Sequence, residues 1–361
     1  MEELKIMKKV IIGVIFAILS VFVINAESAP AGATTITESI TAGGNYICPS
    51  ELQIQVMISG GTTDNPVNIY IDGTVTCPAG GTGQRAASSP VFSVKSGTIN
   101  FIGINEAIIK NSQSQTFNAY GSLQGDATVT VSNIVFDGLN SGTANLLTTG
   151  KKSSSTATAT FTNCTFQNWS RNSNGVFTCA GASTTTFISC KFLNNIGVGK
   201  NTGGLNLNGD STVILKDCIF DGNSGIQGGS ILVSATGTCE LENCIIRNST
   251  CQSEETGLGA VYVSGGTLKL KGSTTITTQT KGGNIYLQSG ATITIENGWT
   301  GSAGITTEAE PASNSPVAIT DTTGSNAVLA NQLFLDDTSQ NYGLRRLSNG
   351  TIQIVTHSTS W

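Results

Sequence analysis

Nine cysteines in 361 residues are the first chemistry this sequence offers. Cys48 and Cys77 each precede a proline, and they are the best disulfide candidates if the compartment is oxidising. Cys164, Cys190, Cys218 and Cys244 are different. They sit in one repeated phrase: Phe161-Thr-Asn-Cys-Thr-Phe166, Phe187-Ile-Ser-Cys-Lys-Phe192, Leu215-Lys-Asp-Cys-Ile-Phe220 and Leu241-Glu-Asn-Cys-Ile-Ile246. A thiol at a fixed place in a repeat can bridge, hold a soft metal, or act as a small apolar filler. If the repeats stack as neighbouring strands, successive Cα atoms lie about 4.8 Å apart, inside disulfide range. Side chains stacked in this way point in the same direction, however, so a bridge would be strained. A line of thiols in a packed core is also not tetrahedral. Buried free thiols are therefore expected, with Cys179 and Cys239 inward as well and Cys251 in a loop without a mate. No metal or other cofactor is expected.

Acid–base chemistry has fewer candidates. A lyase would need clustered acidic calcium ligands beside a basic residue, and a hydrolase would need paired carboxylates on one face. Asp210, Asp221, Glu254 and Glu255 are scattered over turns, and Arg171 and Arg247 fall three repeats apart. Asp336-Asp337 belongs to the C-terminal region, and His357, the single histidine, lies in the tail. No catalytic residue is assigned.

The elements that position these residues follow from the repeat. The leading apolar positions are 131, 161, 187, 215, 241, 270 and 295, a period of 25 to 30 residues. They include the first copy, Val131-Ser-Asn-Ile-Val-Phe136, and weaker copies at Leu270-Lys-Gly-Ser273 and Ile295-Glu-Asn297. A fixed period of this size marks a stacked array. Each period also carries a Gly-rich step and a short apolar strand, as in Gly203-Gly-Leu-Asn-Leu207, Gly228-Gly-Ser-Ile-Leu-Val233 and Gly282-Gly-Asn-Ile-Tyr-Leu287. Three short alternating strands per repeat, without helical periodicity, predict a parallel β-helix.

Outward positions should then form columns too. Three residues before each leading position stand Thr128, Thr158, Thr184, Thr212, Thr238, Thr267 and Thr292. One residue after it, the last four repeats carry Lys216, Glu242, Lys271 and Glu296, a predicted ladder of ion pairs, and Glu240 and Lys269 repeat the pairing one column over. Such exposed pairs are worth about 0–1 kcal/mol each, so they set register more than stability. Asn133, Asn163, Asp217 and Asn243 recur at the bend and predict a ladder of side-chain amides satisfying turn backbone. Thr-x-Thr pairs also occur in ice-binding solenoids, but Ile214, Glu240 and Lys269 interrupt the array and threonine suits any exposed strand.

Gly-Gly-Ser-Ile, Gly-Ala-Val, Phe-Asp-Gly-Asn223 and Phe-Leu-Asn-Asn195 resemble the Gly-Gly-Ala-Ile and Phe-x-x-Asn repeats of polymorphic outer membrane proteins. More broadly, residues 90–300 resemble the pectate-lyase-like β-helices. The resemblance implies a right-handed coil, surface exposure and adhesion. Trp169 departs from the motif where asparagine is expected, and the chain leaves no room for the membrane barrel that ends autotransporter members.

In chain order, residues 1–26 are expected to be a cleaved secretion signal, with Lys5, Lys8 and Lys9 before the apolar run Val10–Ile24. That run is short for a membrane span, which needs roughly 20 residues. Residues 27–121 are read as an N-terminal cap and first irregular coils, 122–300 as regular coils, and 301–361 as last coils and a C-terminal cap. Charged residues make up 11% and net charge is −5, so no basic stripe argues for nucleic acid. The fold expected is all-β, a right-handed parallel β-helix with irregular caps. The function expected is that of an exported, non-enzymatic, adhesin-like protein at the outer membrane, cell surface or outside the cell, binding glycans or cell-surface proteins. Loops Asn194–Asn201 and Asn248–Gly257 are candidate contacts. A polysaccharide lyase or glycoside hydrolase is the alternative. In a eukaryotic source, Asn168-Trp-Ser and Asn248-Ser-Thr would be glycosylation sites.

Overall fold

The computed structural model describes residues 28–77, 91–111, 127–140, 147–149, 157–171, 177–198, 202–234, 236–252, 258–277, 279, 283–312, 315–320, 332–336 and 342–356. The expected signal, together with Glu254, Glu255, Asp337 and His357, lies outside them. The described chain is a right-handed parallel β-helix of about seven coils. Three faces repeat. The first is built from Ala127–Ser132, Thr158–Thr162, Thr184–Ile188, Thr212–Lys216, Thr238–Glu242, Thr267–Lys271 and Ile293–Ile295, paired in parallel and in register. The second holds Val135–Asp137, Thr165–Gln167, Lys191–Leu193, Ile219–Asp221 and Ile245–Arg247. The third holds Leu147–Thr149, Phe177–Cys179, Leu205–Leu207, Ile231–Val233, Val261–Val263 and Ile285–Leu287. The prediction of three strands per coil missed a fourth ladder of two-residue strands, Ser170–Arg171, Ile196–Gly197, Ser224–Gly225 and Thr250–Cys251, between the second and third faces.

Alternation explains which side chains fill the interior. On the first face Val129, Ala159, Thr185, Val213, Cys239, Leu268 and Ile293 are buried, and so are Val131, Phe161, Phe187, Leu215, Leu241, Leu270 and Ile295. Phe136, Phe166, Phe192 and Phe220 stack ring on ring in the second face, with centroids 5.2, 4.9 and 4.4 Å apart. Offset and edge contacts of this kind add to the burial of the rings themselves.

The bend between the first and second faces needs a left-handed residue. Asn133, Asn163, Ser189, Asp217 and Asn243 all have φ of 53 to 58°. Asn and Asp tolerate this conformation better than other residues with a Cβ, which gives the asparagine column a backbone cause beyond hydrogen bonding. The amide ladder itself is partial: Asn163 Nδ2 donates to Asn133 Oδ1 at 2.9 Å, and Ser189 breaks the run.

The same register runs back through Gly97–Asn111 and Val67–Cys77, two long strands that carry both faces. An outward ladder lies there that the sequence pattern did not reveal: Asn68 Nδ2 donates to Asn45 Oδ1 (3.0 Å), Asn100 Nδ2 to Asn68 Oδ1 (2.8 Å) and Thr130 Oγ1 to Asn100 Oδ1 (2.6 Å). At the far end Leu333–Leu335 pairs in parallel with Ser302–Thr307. Val317–Ala318, Ile352–Thr356 and Tyr342–Arg346 form an antiparallel sheet beside the last coil. That sheet helps cover an end whose backbone groups would otherwise lack partners.

Candidate functional site

Cys164, Cys190, Cys218 and Cys244 form the inward column expected, all buried and none bridged. They do more than fill space. Each Sγ sits 3.4 to 3.6 Å from the carbonyl of the leading residue one coil earlier (Val131, Phe161, Phe187, Leu215). Each also lies 3.2 to 3.4 Å from the carbonyl two residues before it. Burial pushes the thiols of Cys164 and Cys239 up, and that of Cys179 up to about 11, which keeps these groups protonated. In the next coil Thr274 takes the slot and donates Oγ1 to Leu241 O at 2.9 Å. The weak copy ending at Ser273 was therefore aligned one residue short, because Gly272-Ser273 occupies the bend in place of one residue. Cys48 and Cys77, the disulfide candidates, are both buried and are not bridged to each other in this structure. Cys48 follows the Ile47–Tyr70 pair and Cys77 follows the Glu51–Thr76 bridge, so they lie one coil apart but offset along it. Cys251 lies in a short strand, not a loop, with Sγ 3.2 Å from Ile226 O.

A second buried column explains the Phe-x-x-Asn phrase. Asn195 and Asn223 are fully buried. Asn195 Nδ2 donates to Phe166 O (3.0 Å) and Asn223 Oδ1 (3.0 Å), while Asn223 Nδ2 donates to Phe192 O (2.8 Å). Asn195 Oδ1 accepts the Trp169 N–H, and Asn223 Oδ1 accepts the Asn195 N–H, both at 3.1 Å. Trp169 replaces asparagine without losing the donor, because its Nε1 reaches Phe136 O at 3.4 Å. Gln279 Nε2 does the same for Ile246 O at 3.0 Å.

The outward columns carry the exposed chemistry. Thr128, Thr158, Thr184, Thr212, Thr238 and Thr267 are register partners, and Thr98 extends the column. Thr292 precedes Ile293, the partner of Leu268, and so continues it. The charge ladder holds at Lys216–Glu242 (3.3 Å) but not beyond. Lys271 crosses to Glu240 (2.8 Å), which Lys269 also reaches at 2.8 Å. Glu240 is more enclosed than Glu242, its side chain 19% against 40% exposed, so two lysines converge on the better-shielded carboxylate. Glu296 acts on Lys271 through its charge. Asp221 is tied to Arg247 Nε (2.8 Å) and to Asn248 Nδ2 (2.7 Å), a structural pair on the second face. Asp210 is exposed, and the Arg171 side chain lies outside the described residues.

On the third face the register aligns Thr178, Asn206, Leu232, Tyr262, Tyr286 and Thr306 in one outward column. Asp336 follows Leu335, the partner of Ile305, and so extends it past Thr306. The Tyr262 and Tyr286 rings lie 5.5 Å apart. Tyr262 OH donates to Gln288 Oε1 at 3.2 Å. Burial, and then the charge of Glu308, raise both phenols above their ordinary range. Glu308 is held by the Ser289 N–H on its Oε2 at 2.9 Å. Asp336 accepts from the Asn284 N–H (2.6 Å) and from Asn284 Nδ2, yet burial still lifts its carboxyl above the usual range. Beside this column opens a cleft of about 320 Å³ whose lining includes Tyr286, Thr306, Glu308, Glu310, Pro311 and Tyr342.

Of these residues only Asp336 was weighed as a candidate carboxylate from sequence, and it was set aside with the C-terminal region. The available signal was a tyrosine at the same step of two successive Gly-rich strands, Val261-Tyr-Val263 and Ile285-Tyr-Leu287. Among the described residues no group of three His, Cys, Asp or Glu is placed to hold a metal ion, and no helix is long and apolar enough to cross a membrane. No protein-family model matches the sequence, and no curated protein or solved structure matches it either. The fold is thus established by its coils, and the resemblance to outer-membrane and pectate-lyase-like β-helices rests on their short motifs.

Proposed function

We propose that the protein is an exported, non-enzymatic, adhesin-like β-helix that binds glycans at the cell surface or outside the cell. The observation that carries this reading is the third-face column, where Tyr262 and Tyr286 stand in register with Thr306 and Asp336 beside the cleft. Aromatic faces flanked by a few hydroxyl, amide and carboxylate groups suit a sugar ring, which is apolar on one face and rich in hydroxyls at its edge. Export is supported by the lysines and apolar run at the N-terminus. Surface location and adhesion come from the motif resemblance.

One observation favours the rival, a polysaccharide-cleaving enzyme. Glu308 follows Thr307, the partner of Leu287, and stands one coil and two residues from Asp336 on the same outward side. Sheet spacings put their Cα atoms roughly 8 Å apart, and inverting hydrolases separate two carboxyl groups by a similar distance. Against it, Asp336 is committed to Asn284, which is a structural role. Incubating the mature protein with a panel of neutral, acidic and amine-bearing polysaccharides separates the two. Retention without new chain ends is expected, and retention should fall in Tyr286→Ala. New ends that vanish in Asp336→Asn would replace the binding reading with the hydrolase.

A further inference from the structure

We propose that the third-face cleft selects glycan chains bearing protonated amines, with Glu308 and Glu310 taking the ammonium and Tyr286 and Tyr342 the sugar ring. This deepens the glycan-binding reading and rests on it.

The argument starts from charge. Cleft residues Glu308 and Glu310 are both exposed, and no lysine or arginine lines the cleft among the described residues. The ion pairs among those residues, Lys216–Glu242, Arg247–Asp221, Lys269–Glu240 and Lys271–Glu240, all lie on the first and second faces. The cleft carboxylates enter none of them. They therefore face solvent with their charge uncompensated, in a concavity where field lines are focused.

The second strand of the argument is hydrogen-bonding capacity. Glu308 spends one oxygen on the Ser289 N–H, which fixes the carboxylate and leaves Oε1 for a ligand. The cleft thus offers carboxylate acceptors with no lysine or arginine among its described lining residues. A carboxylated chain such as polygalacturonate offers the wrong charge. A neutral chain offers ring contact and hydroxyls but no charge. A glucosamine chain offers a donor, a positive charge and a ring, and its ammonium is also attracted to a tyrosine face.

The cleft volume, about 320 Å³, lies at the small end of the range for small-molecule sites. It would seat one end or a short stretch of a chain, with Tyr286 as floor, since Tyr286 is 8% exposed.

The test is titration calorimetry of the full mature protein with a glucosamine hexamer, its fully N-acetylated counterpart and an oligogalacturonate. Acetylation removes the charge and keeps the ring. The expected result is that the amine oligomer binds at least tenfold more tightly than the acetylated one, that the preference shrinks with added salt, and that oligogalacturonate does not bind. Glu308→Gln with Glu310→Gln should bring the two affinities together, and Tyr286→Ala should weaken both. Circular dichroism checks that each variant is folded. Equal or tighter binding of the acetylated or acidic oligomer would overturn the inference and leave glycan binding standing. Binding of no carbohydrate on the wider panel would overturn both.

Discussion

Replacing Asn223 by alanine should be among the most damaging single changes in the coil, although the side chain touches no ligand and no solvent. The wild-type amide makes four bonds at a buried corner: Nδ2 to Phe192 O (2.8 Å) and to Ser230 Oγ (3.4 Å), and Oδ1 from Asn195 N (3.1 Å) and Asn195 Nδ2 (3.0 Å). Alanine leaves the buried Asn195 N–H without an acceptor, at about 1–3 kcal/mol, and removes further bonds worth about 1 kcal/mol each. The sum is about 4–6 kcal/mol, a large part of the 5–15 kcal/mol that holds a typical domain together. The loss is local, because a solenoid is stabilised coil by coil through nearest-neighbour contacts. Urea unfolding followed by circular dichroism should give the total. Hydrogen exchange should show the Asn195 amide deprotected first, with little change around Val67–Cys77. Asn163→Ala is the control. Asn163 is exposed and makes one side-chain bond, to Asn133, so about 2 kcal/mol is expected, combining that bond with its left-handed φ of 53°. If Asn223→Ala costs no more than Asn163→Ala, the inner amide column does not stabilise the fold as argued.

Three further outcomes follow from the same geometry. Cys164, Cys190, Cys218 and Cys244 should resist iodoacetamide in the folded protein and react after denaturation, read by peptide mass spectrometry. Burial works to raise the Glu240 carboxyl, but the bonds from Lys269 and Lys271 outweigh it and hold the group below its ordinary value. Its contribution is therefore present at neutral pH and lost as pH falls through the lowered pKa, so Glu240→Gln should flatten the acid side of a Tm-against-pH curve. Asp336 has the opposite sign: burial raises its carboxyl, so stability declines as pH rises from the ordinary carboxylate range through the raised value. Asp336→Asn should abolish that decline.

Which of these features could be read in the sequence depended on whether the residue was repeated. The seven-threonine column was legible because every outward position of a stack recurs with the period, and strand pairing then sets six of the seven side by side. The cysteine column was legible for the same reason, but its hydrogen bonds were not, because spacing does not show which carbonyl lies one coil below. Register failed where the count of bend residues changed: Gly272-Ser273 shifted the thiol slot to Thr274. The charge ladder failed for another reason. Alternating signs along one column fix charge but not shielding, and Lys271 left its own column for the more enclosed Glu240. Trp169 read as a break in the motif, yet its indole N–H keeps the donor that the slot requires.

The cleft escaped notice because it is built from residues that do not repeat. A β-helix makes its interior from columns, so any inward change costs packing with two neighbours at once. Outward positions are free of that demand. Thr178, Asn206, Leu232, Tyr262, Tyr286 and Thr306 share one column and are of four residue types. On the first face the outward column stays threonine from coil to coil, as strand propensity alone would favour. This face sets two tyrosines, a threonine and an aspartate side by side in successive coils, and so gathers aromatic, hydroxyl and carboxylate groups at one end of the coil. The antiparallel cap brings Tyr342 against the same coils, and the turn after Ser302–Thr307 brings Glu308 and Glu310. The cap thus has two effects: it covers the exposed strand end, and it adds an aromatic wall to an otherwise flat sheet. A flat sheet gives a ligand one side to touch, while a walled cleft gives it several, and binding strength follows the latter. Selection at the C-terminal coils therefore depends on the junction of coil and cap. Changes confined to the Thr128–Thr267 face should leave it intact.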